Sequence, residues 1–106
     1  MTEFRLALTT VPDEETGRRL ARTFVEERLA ACVNVSPAVT SFYWWEGKLV
    51  EGGECLLIIK TRAALLDRLE ARLKELHPYK VPEFIALPIV AGSREYLGWL
   101  DAETRD

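Results

Sequence analysis

The chain is poor in the residues that most site chemistry needs. Its 106 residues include no Gln, one Asn (Asn34), one Met (Met1) and one His (His77). Depletion of thermolabile side chains beside abundant Glu and Arg fits a thermophilic source, and it fits a high-GC genome equally well. A lone histidine cannot close a metal site, and no nucleophile–base pair or Gly-rich phosphate loop accompanies it, so no catalytic constellation is visible. There is no CxxC. Cys32 and Cys55 stand apart in apolar surroundings without ligand spacing, which reads as buried, reduced thiols packed in the core. No apolar run reaches membrane length, and the N-terminal residues lack the n- and h-regions of a signal peptide, so the expected compartment is the cytoplasm, with no membrane partner. There is no basic excess either. Fourteen Lys and Arg stand against seventeen Asp and Glu, a net charge of −3, which argues against a general nucleic-acid binder.

What is present is an ordinary globular composition, 48% hydrophobic, suited to one domain over residues 1–106. Phe4, Leu6 and Leu8 alternate and predict a first strand with those three on its core face. Asp13 is a good N-cap, and the stripe of Leu20, Phe24 and Leu29 predicts a helix running to about Ala30. Cys32-Val33-Asn34-Val35 reads as a second strand, interrupted at Ser36-Pro37 and resumed through Val39 to Trp45. Glu46-Gly47-Lys48 turns the chain. A third strand from Leu49 to Thr61 follows, with a bulge or bend expected at Gly52-Gly53. Thr61 is the candidate cap of a second helix whose stripe is Leu66, Leu69, Leu73 and Leu76. Phe84 to Ile89 is a short strand that Pro88 marks as an edge. Ser93 caps a last short helix carrying Tyr96, Leu97, Trp99 and Leu100, and residues 101–106 are expected to fray. The order βαββαβ plus a terminal helix predicts an α+β fold, a ferredoxin-like sandwich with a long hairpin between its second and third strands.

That hairpin is longer than a domain of this size requires, since a typical strand has about 5–6 residues. Its outer half carries Phe42, Tyr43, Trp44 and Trp45. A projecting aromatic ribbon needs another surface to cover it, so these four are the candidate subunit interface.

The second concentration of chemistry is His77-Pro78-Tyr79-Lys80-Val81-Pro82-Glu83. Two prolines stiffen a connection that carries an imidazole, a phenol, a lysine and a carboxylate. His77 with Glu83 is the candidate metal pair, Cu(II) standing highest among divalent first-row metals for nitrogen and oxygen donors. The competing reading of His77, a helix C-cap, weighs more. Lys60, Tyr79 and Trp45 are the candidates for lining a small-molecule cleft between subunits.

Five stretches together carry a resemblance: residues 27–34 (Glu-Arg-Leu-Ala-Ala-Cys-Val-Asn), 43–48 (Tyr-Trp-Trp-Glu-Gly-Lys), Ile59-Lys60-Thr61, the 77–83 stretch, and Tyr96-Leu97-Gly98-Trp99-Leu100. On these the sequence resembles the CutA family of divalent-cation tolerance proteins over nearly its whole length. The resemblance implies a homotrimer of ferredoxin-like subunits, associated with copper and other divalent-metal tolerance and homeostasis. It implies no obligatory cofactor, with Cu(II) or another divalent cation as the ligand to test. The architecture is also similar to that of PII-type signalling proteins, which leaves a small-molecule-sensing trimer as the alternative.

Overall fold

The computed structural model describes residues 3–105; Met1, Thr2 and Asp106, which the single-domain span and the expected fraying of the tail include, lie outside the described residues. Seven main elements follow one another: β1 (Phe4–Val11), α1 (Glu14–Glu26), β2 (Cys32–Trp45), β3 (Lys48–Arg62), α2 (Leu66–Leu76), β4 (Ile85–Pro88) and α3 (Arg94–Ala102), with a single 3-10 turn, Ala63–Leu65, leading into α2. The strands form one sheet in the order β2-β3-β1-β4, with every pairing antiparallel. This is the ferredoxin-like α+β arrangement, and β4 lies at the edge as Pro88 requires.

The Asp13 carboxylate accepts the Thr16 N–H at 2.7 Å and caps α1. That bond holds its pKa below the usual carboxylate range. The helix ends at Glu26, four residues before the expected stop. Arg28 takes a left-handed φ of 63°, and its N–H donates to the Val25 carbonyl while that of Leu29 donates to Phe24. These are the two bonds of a Schellman motif, with an arginine where glycine is usual, and the packing of Leu29 with Phe24 in one core cluster completes it.

Strand β1 meets the expectation at Phe4, which is buried against Leu97 and Leu100 of α3, and departs from it beyond. Ala7, Thr9 and Val11 are the fully buried positions, whereas Leu6 and Leu8 are only half-buried. The smaller side chains lie under the helices because α1 approaches closely: a Cβ on Gly17 would sit 3.2 Å from Val11 Cγ2, 3.2 Å from Val35 Cγ1 and 3.3 Å from Leu57 Cδ2. The register assigns Leu6, Leu8, Leu56, Ile58, Ile85 and Leu87 to the other face, where all six are half-buried or exposed; α3 covers the Phe4 end of that face, its Leu97 and Leu100 packing with Phe4 and Ala31.

Three further expectations are corrected. The irregularity in the hairpin falls between Val35 and Ala38, while Gly52 and Gly53 pair regularly with Ser41 and Thr40. At that irregularity the Ser36 hydroxyl accepts the Leu56 N–H at 2.8 Å, standing in for a ladder carbonyl. Thr61 belongs to β3, and its hydroxyl donates to the Leu29 carbonyl at 2.7 Å, so it caps no helix. The C-terminal residues do not fray: Thr104 is buried, its hydroxyl accepts from Arg62 Nε at 2.7 Å, and Arg105 N–H donates to the Arg28 carbonyl at 2.9 Å.

Beyond this body the β2–β3 hairpin projects, and the molecule is 44 Å long against 25 and 24 Å across. Glu46 and Gly47, at φ 51° and 79°, close it as a two-residue turn of the type I′ pattern.

Gly17→Ala tests how tightly α1 is seated. Helix propensity alone would gain about 1 kcal/mol. A methyl group pressed against Val11, the partly buried Val35 and Leu57 costs about 1–3 kcal/mol. The expected result is net destabilisation, read as a lower denaturation midpoint with an unchanged slope.

Candidate functional site

The stiff loop does bring chemistry together, although not in the pairs anticipated. His77 is the C-terminal cap residue of α2, its backbone N–H donating to the Leu73 carbonyl at 2.8 Å. Its extended ψ of 134°, which the following proline favours, ends the helix. The imidazole turns away from the helix carbonyls and reaches the end of β1, where Nε2 lies 2.7 Å from the Thr10 carbonyl. Nδ1 accepts the Tyr79 N–H at 3.1 Å. These partners select the neutral tautomer protonated on Nε2. Both ring nitrogens are thus engaged by backbone groups, and the side chain is 7% exposed. In this geometry His77 braces the loop, and a metal could reach Nδ1 only by displacing the Tyr79 N–H.

The brace orients Tyr79, whose ring lies 4.7 Å from the imidazole. Its hydroxyl donates to Glu54 Oε2 at 2.9 Å. Burial first, then the bond to Glu54 and the negative fields of Glu54, Tyr43 and Asp13, push the phenol well above its ordinary pKa. The hydroxyl therefore stays protonated throughout the physiological range.

Between the loop and the hairpin lies a cleft of about 800 Å³. The hairpin side presents Tyr43, Trp45, Glu46 and Glu54, and the loop side presents Tyr79, Lys80 and Glu83. Of the proposed cleft residues, Tyr79 and Trp45 meet here. Lys60 does not: it lies further along β3, away from the cleft, where its ammonium bonds the Asn34 side-chain carbonyl and approaches Cys32 Sγ at 3.7 Å. Lys80, two residues before the second proline, is the lysine of the cleft. Of the proposed metal pair, Glu83 lines the cleft, whereas His77 sits behind its wall. Among the described residues no three His, Cys, Asp or Glu side chains converge as a metal-binding group, so the donors of one subunit do not make a closed metal centre. Cys32 and Cys55 are free thiols, and Cys32 is only half-buried, not a core residue.

Of the four aromatic residues assigned to an interface, Trp44 and Phe42 are the most exposed, at 73% and 65%. Trp45 and Tyr43, which face the cleft, are exposed at 44% and 41%. Glu54 was not among the sequence candidates. Its signal was a carboxylate immediately before the apolar run 55–59, within a strand where burial was already expected.

Two substitutions separate brace from wall. His77→Ala leaves the Tyr79 N–H unpartnered and the Thr10 carbonyl with only its 3.5 Å bond from the Thr9 hydroxyl, and should cost about 1–3 kcal/mol by chemical denaturation. Tyr79→Phe tests the phenol. The folded pKa is raised, so its contribution is complete below the unfolded value of about 10 and is lost as pH climbs beyond it. The wild type should lose stability above that pH more steeply than the Phe variant, and superimposable alkaline profiles would contradict the assignment.

The model of the family described as CutA1 divalent ion tolerance protein matches residues 5–103. A divalent-cation tolerance protein CutA of Thermus thermophilus is 54% identical over 99 residues, 93% of this chain and 96% of that protein. A chloroplastic CutA 1 of rice is 55% identical over 97 residues, 92% of this chain, which spans only 55% of that longer relative. Among solved structures, the Thermus thermophilus protein superposes with a TM-score of 0.94 at 52% identity, covering 96% of this chain and 99% of that one. CutA1 from Oryza sativa gives 0.96 at 50% identity, covering 99% and 96%. The chain belongs to the CutA1 divalent ion tolerance family.

Proposed function

We propose that this protein serves divalent-cation tolerance and homeostasis as a cytoplasmic homotrimer that holds Cu(II) or another divalent cation weakly, with no obligatory cofactor and no catalysed reaction. The observation that carries the assembly is the apolar face of the sheet beyond α3. Leu6, Leu8, Leu56, Ile58, Ile85 and Leu87 are half-buried or exposed there, outside the reach of α1 and α2, and a soluble monomer would not leave such a patch open. Further copies of the chain cover it, and the hairpin residues Phe42, Tyr43, Trp44 and Trp45 lie against a neighbour. The number three rests on the family resemblance. The partners are therefore other copies and a metal ion, with neither nucleic acid nor membrane.

The names of the relatives support the metal reading, as does the charge of the cleft: Glu46, Glu54 and Glu83 stand against Lys80. Glu83 is an exposed carboxylate of the loop, and His77 can join it only by giving up the Tyr79 N–H. Each copy thus supplies an open, incomplete donor set that needs water or a neighbour's group, which is why affinity is weak and the fold survives chelation.

Light scattering at micromolar concentration should give the mass of three 12.1 kDa chains; a monomer would sink the assembly. Isothermal titration of Cu(II) should show weak binding that is reduced in Glu83→Gln and His77→Ala, each first checked for oligomeric state. Equal binding by all three proteins removes both residues from the metal reading.

A second reading, a small-molecule-sensing trimer of the PII-like kind, is favoured by the cleft itself. Its volume of about 800 Å³ falls within the range of metabolite sites, roughly 300–1,000 Å³.

A further inference from the structure

We propose that the cleft beside the 77–83 loop binds an organic cation, an alkyl- or arylammonium group seated on Glu54 among aromatic rings. The inference rests on the small-molecule reading of the cleft and names the class of its ligand.

The argument begins with Glu54. Its side chain belongs to a residue only 8% exposed, in β3, and it lines the cleft. Its hydrogen-bond partner is the Tyr79 hydroxyl, a neutral donor. Among the described residues no lysine, arginine or histidine forms an ion pair with it, although ion pairs are plentiful elsewhere on the surface. A carboxylate withdrawn from water without a countercharge is costly, and it is stabilised by whatever cation can reach it. The cleft is the route by which one can.

The surroundings decide what kind of cation. Phe42, Tyr43, Trp45 and Tyr79 line the same space. Aromatic faces attract organic ammonium and guanidinium groups most strongly where water is excluded. A small hydrated metal ion gains little from such walls. It would want several converging oxygen or nitrogen donors, which the described residues do not assemble. The charge balance of the lining, Glu46, Glu54 and Glu83 against Lys80, disfavours anionic metabolites and nucleotides. Tyr79 is pushed up first by burial and then by its bond to Glu54, which agrees with a carboxylate withdrawn from water at this place. The volume leaves room for an apolar body behind the charged head. Both walls are held in place, one by paired strands and the other by two prolines and the His77 brace, so the site is formed before the ligand arrives.

The test uses the full-length native oligomer in excess EDTA, which removes metal binding from the readout. Three probes of similar shape differ in charge: 2-phenylethylammonium, 2-phenylethanol and 3-phenylpropanoate. Affinity is measured by isothermal titration and location by the indole N–H resonance of Trp45. The expected result is a Trp45 shift with the ammonium probe, binding at least tenfold tighter than either counterpart. Glu54→Gln, which keeps an acceptor for Tyr79, should erase that tenfold preference while leaving the alcohol's affinity unchanged. Should that variant fail to fold, Trp45→Leu serves instead and should weaken the ammonium probe several-fold more than the alcohol. Equal affinity for the three probes, or preference for the anion, overturns the charge assignment while leaving the cleft reading standing. No shift at Trp45 with any probe overturns both. A structure of the oligomer with a neighbour's lysine or arginine seated on Glu54 also overturns the proposal, since the cation would then be built in.

Discussion

The site depends on one imidazole. His77 donates to the carbonyl of Thr10 at the end of β1 and accepts from the N–H of Tyr79 in the loop. Strand and loop are distant in sequence, and in this geometry both are locked to one neutral tautomer. Everything the cleft presents on its loop side inherits that lock. Tyr79 is aimed at Glu54, and Lys80 and Glu83 follow from a backbone whose φ angles two prolines have already restricted. A residue that resembles a ligand by type serves here as a fixed strut.

A second constraint comes from the sheet. Helices α1 and α2 cover one face, and the close approach at Gly17 forces small or branched residues beneath them. The larger leucines and isoleucines of β1, β3 and β4 are left on the other face. One face is thus covered by two helices, while α3 covers only the Phe4 end of the other. The hairpin adds a further exposed apolar element at the far end of the molecule. Burial of such surface stabilises by about 25 cal/mol per Å². Covering these surfaces would release stabilisation that the single chain leaves unrealised.

Much of this was legible in the residues. The order of elements, the hairpin, the edge character of β4 and the caps at Asp13 and Ser93 follow from periodicity, proline placement and capping chemistry. The face of β1 did not beyond Phe4, because Leu6 and Leu8 outweigh Ala7, Thr9 and Val11 in hydrophobicity, and only the packing distance of α1 reveals that small residues belong beneath it. The end of α1 was hidden by an apolar stripe that continues to Leu29, past an arginine that takes the conformation usually left to glycine. Tyr79 and Trp45 were found by residue type and position. Lys60 lies on the same face of the sheet as Glu54 but six residues further along β3, away from the cleft within one chain. Glu54 was overlooked because a carboxylate next to an apolar run reads as a strand end, and its burial comes from a tyrosine 25 positions away in sequence.

The irregularity at Ser36 and Pro37 has a wider consequence than a local bend. Between the pairs Val35–Leu57 and Ala38–Cys55, β2 advances three residues while β3 advances two. One extra residue inverts the phase of every side chain beyond it. Before the insertion odd-numbered residues of β2 lie on the helix side; after it they lie on the opposite side, with Glu54, and Tyr43 and Trp45 are carried to the cleft. Without it Phe42 and Trp44 would occupy that parity, and Trp44, now turned outward at the hairpin's far side, would take the place of Trp45 beside the loop. A single residue of strand length thus decides which aromatic rings of the ribbon share a face with Glu54 and which take the other.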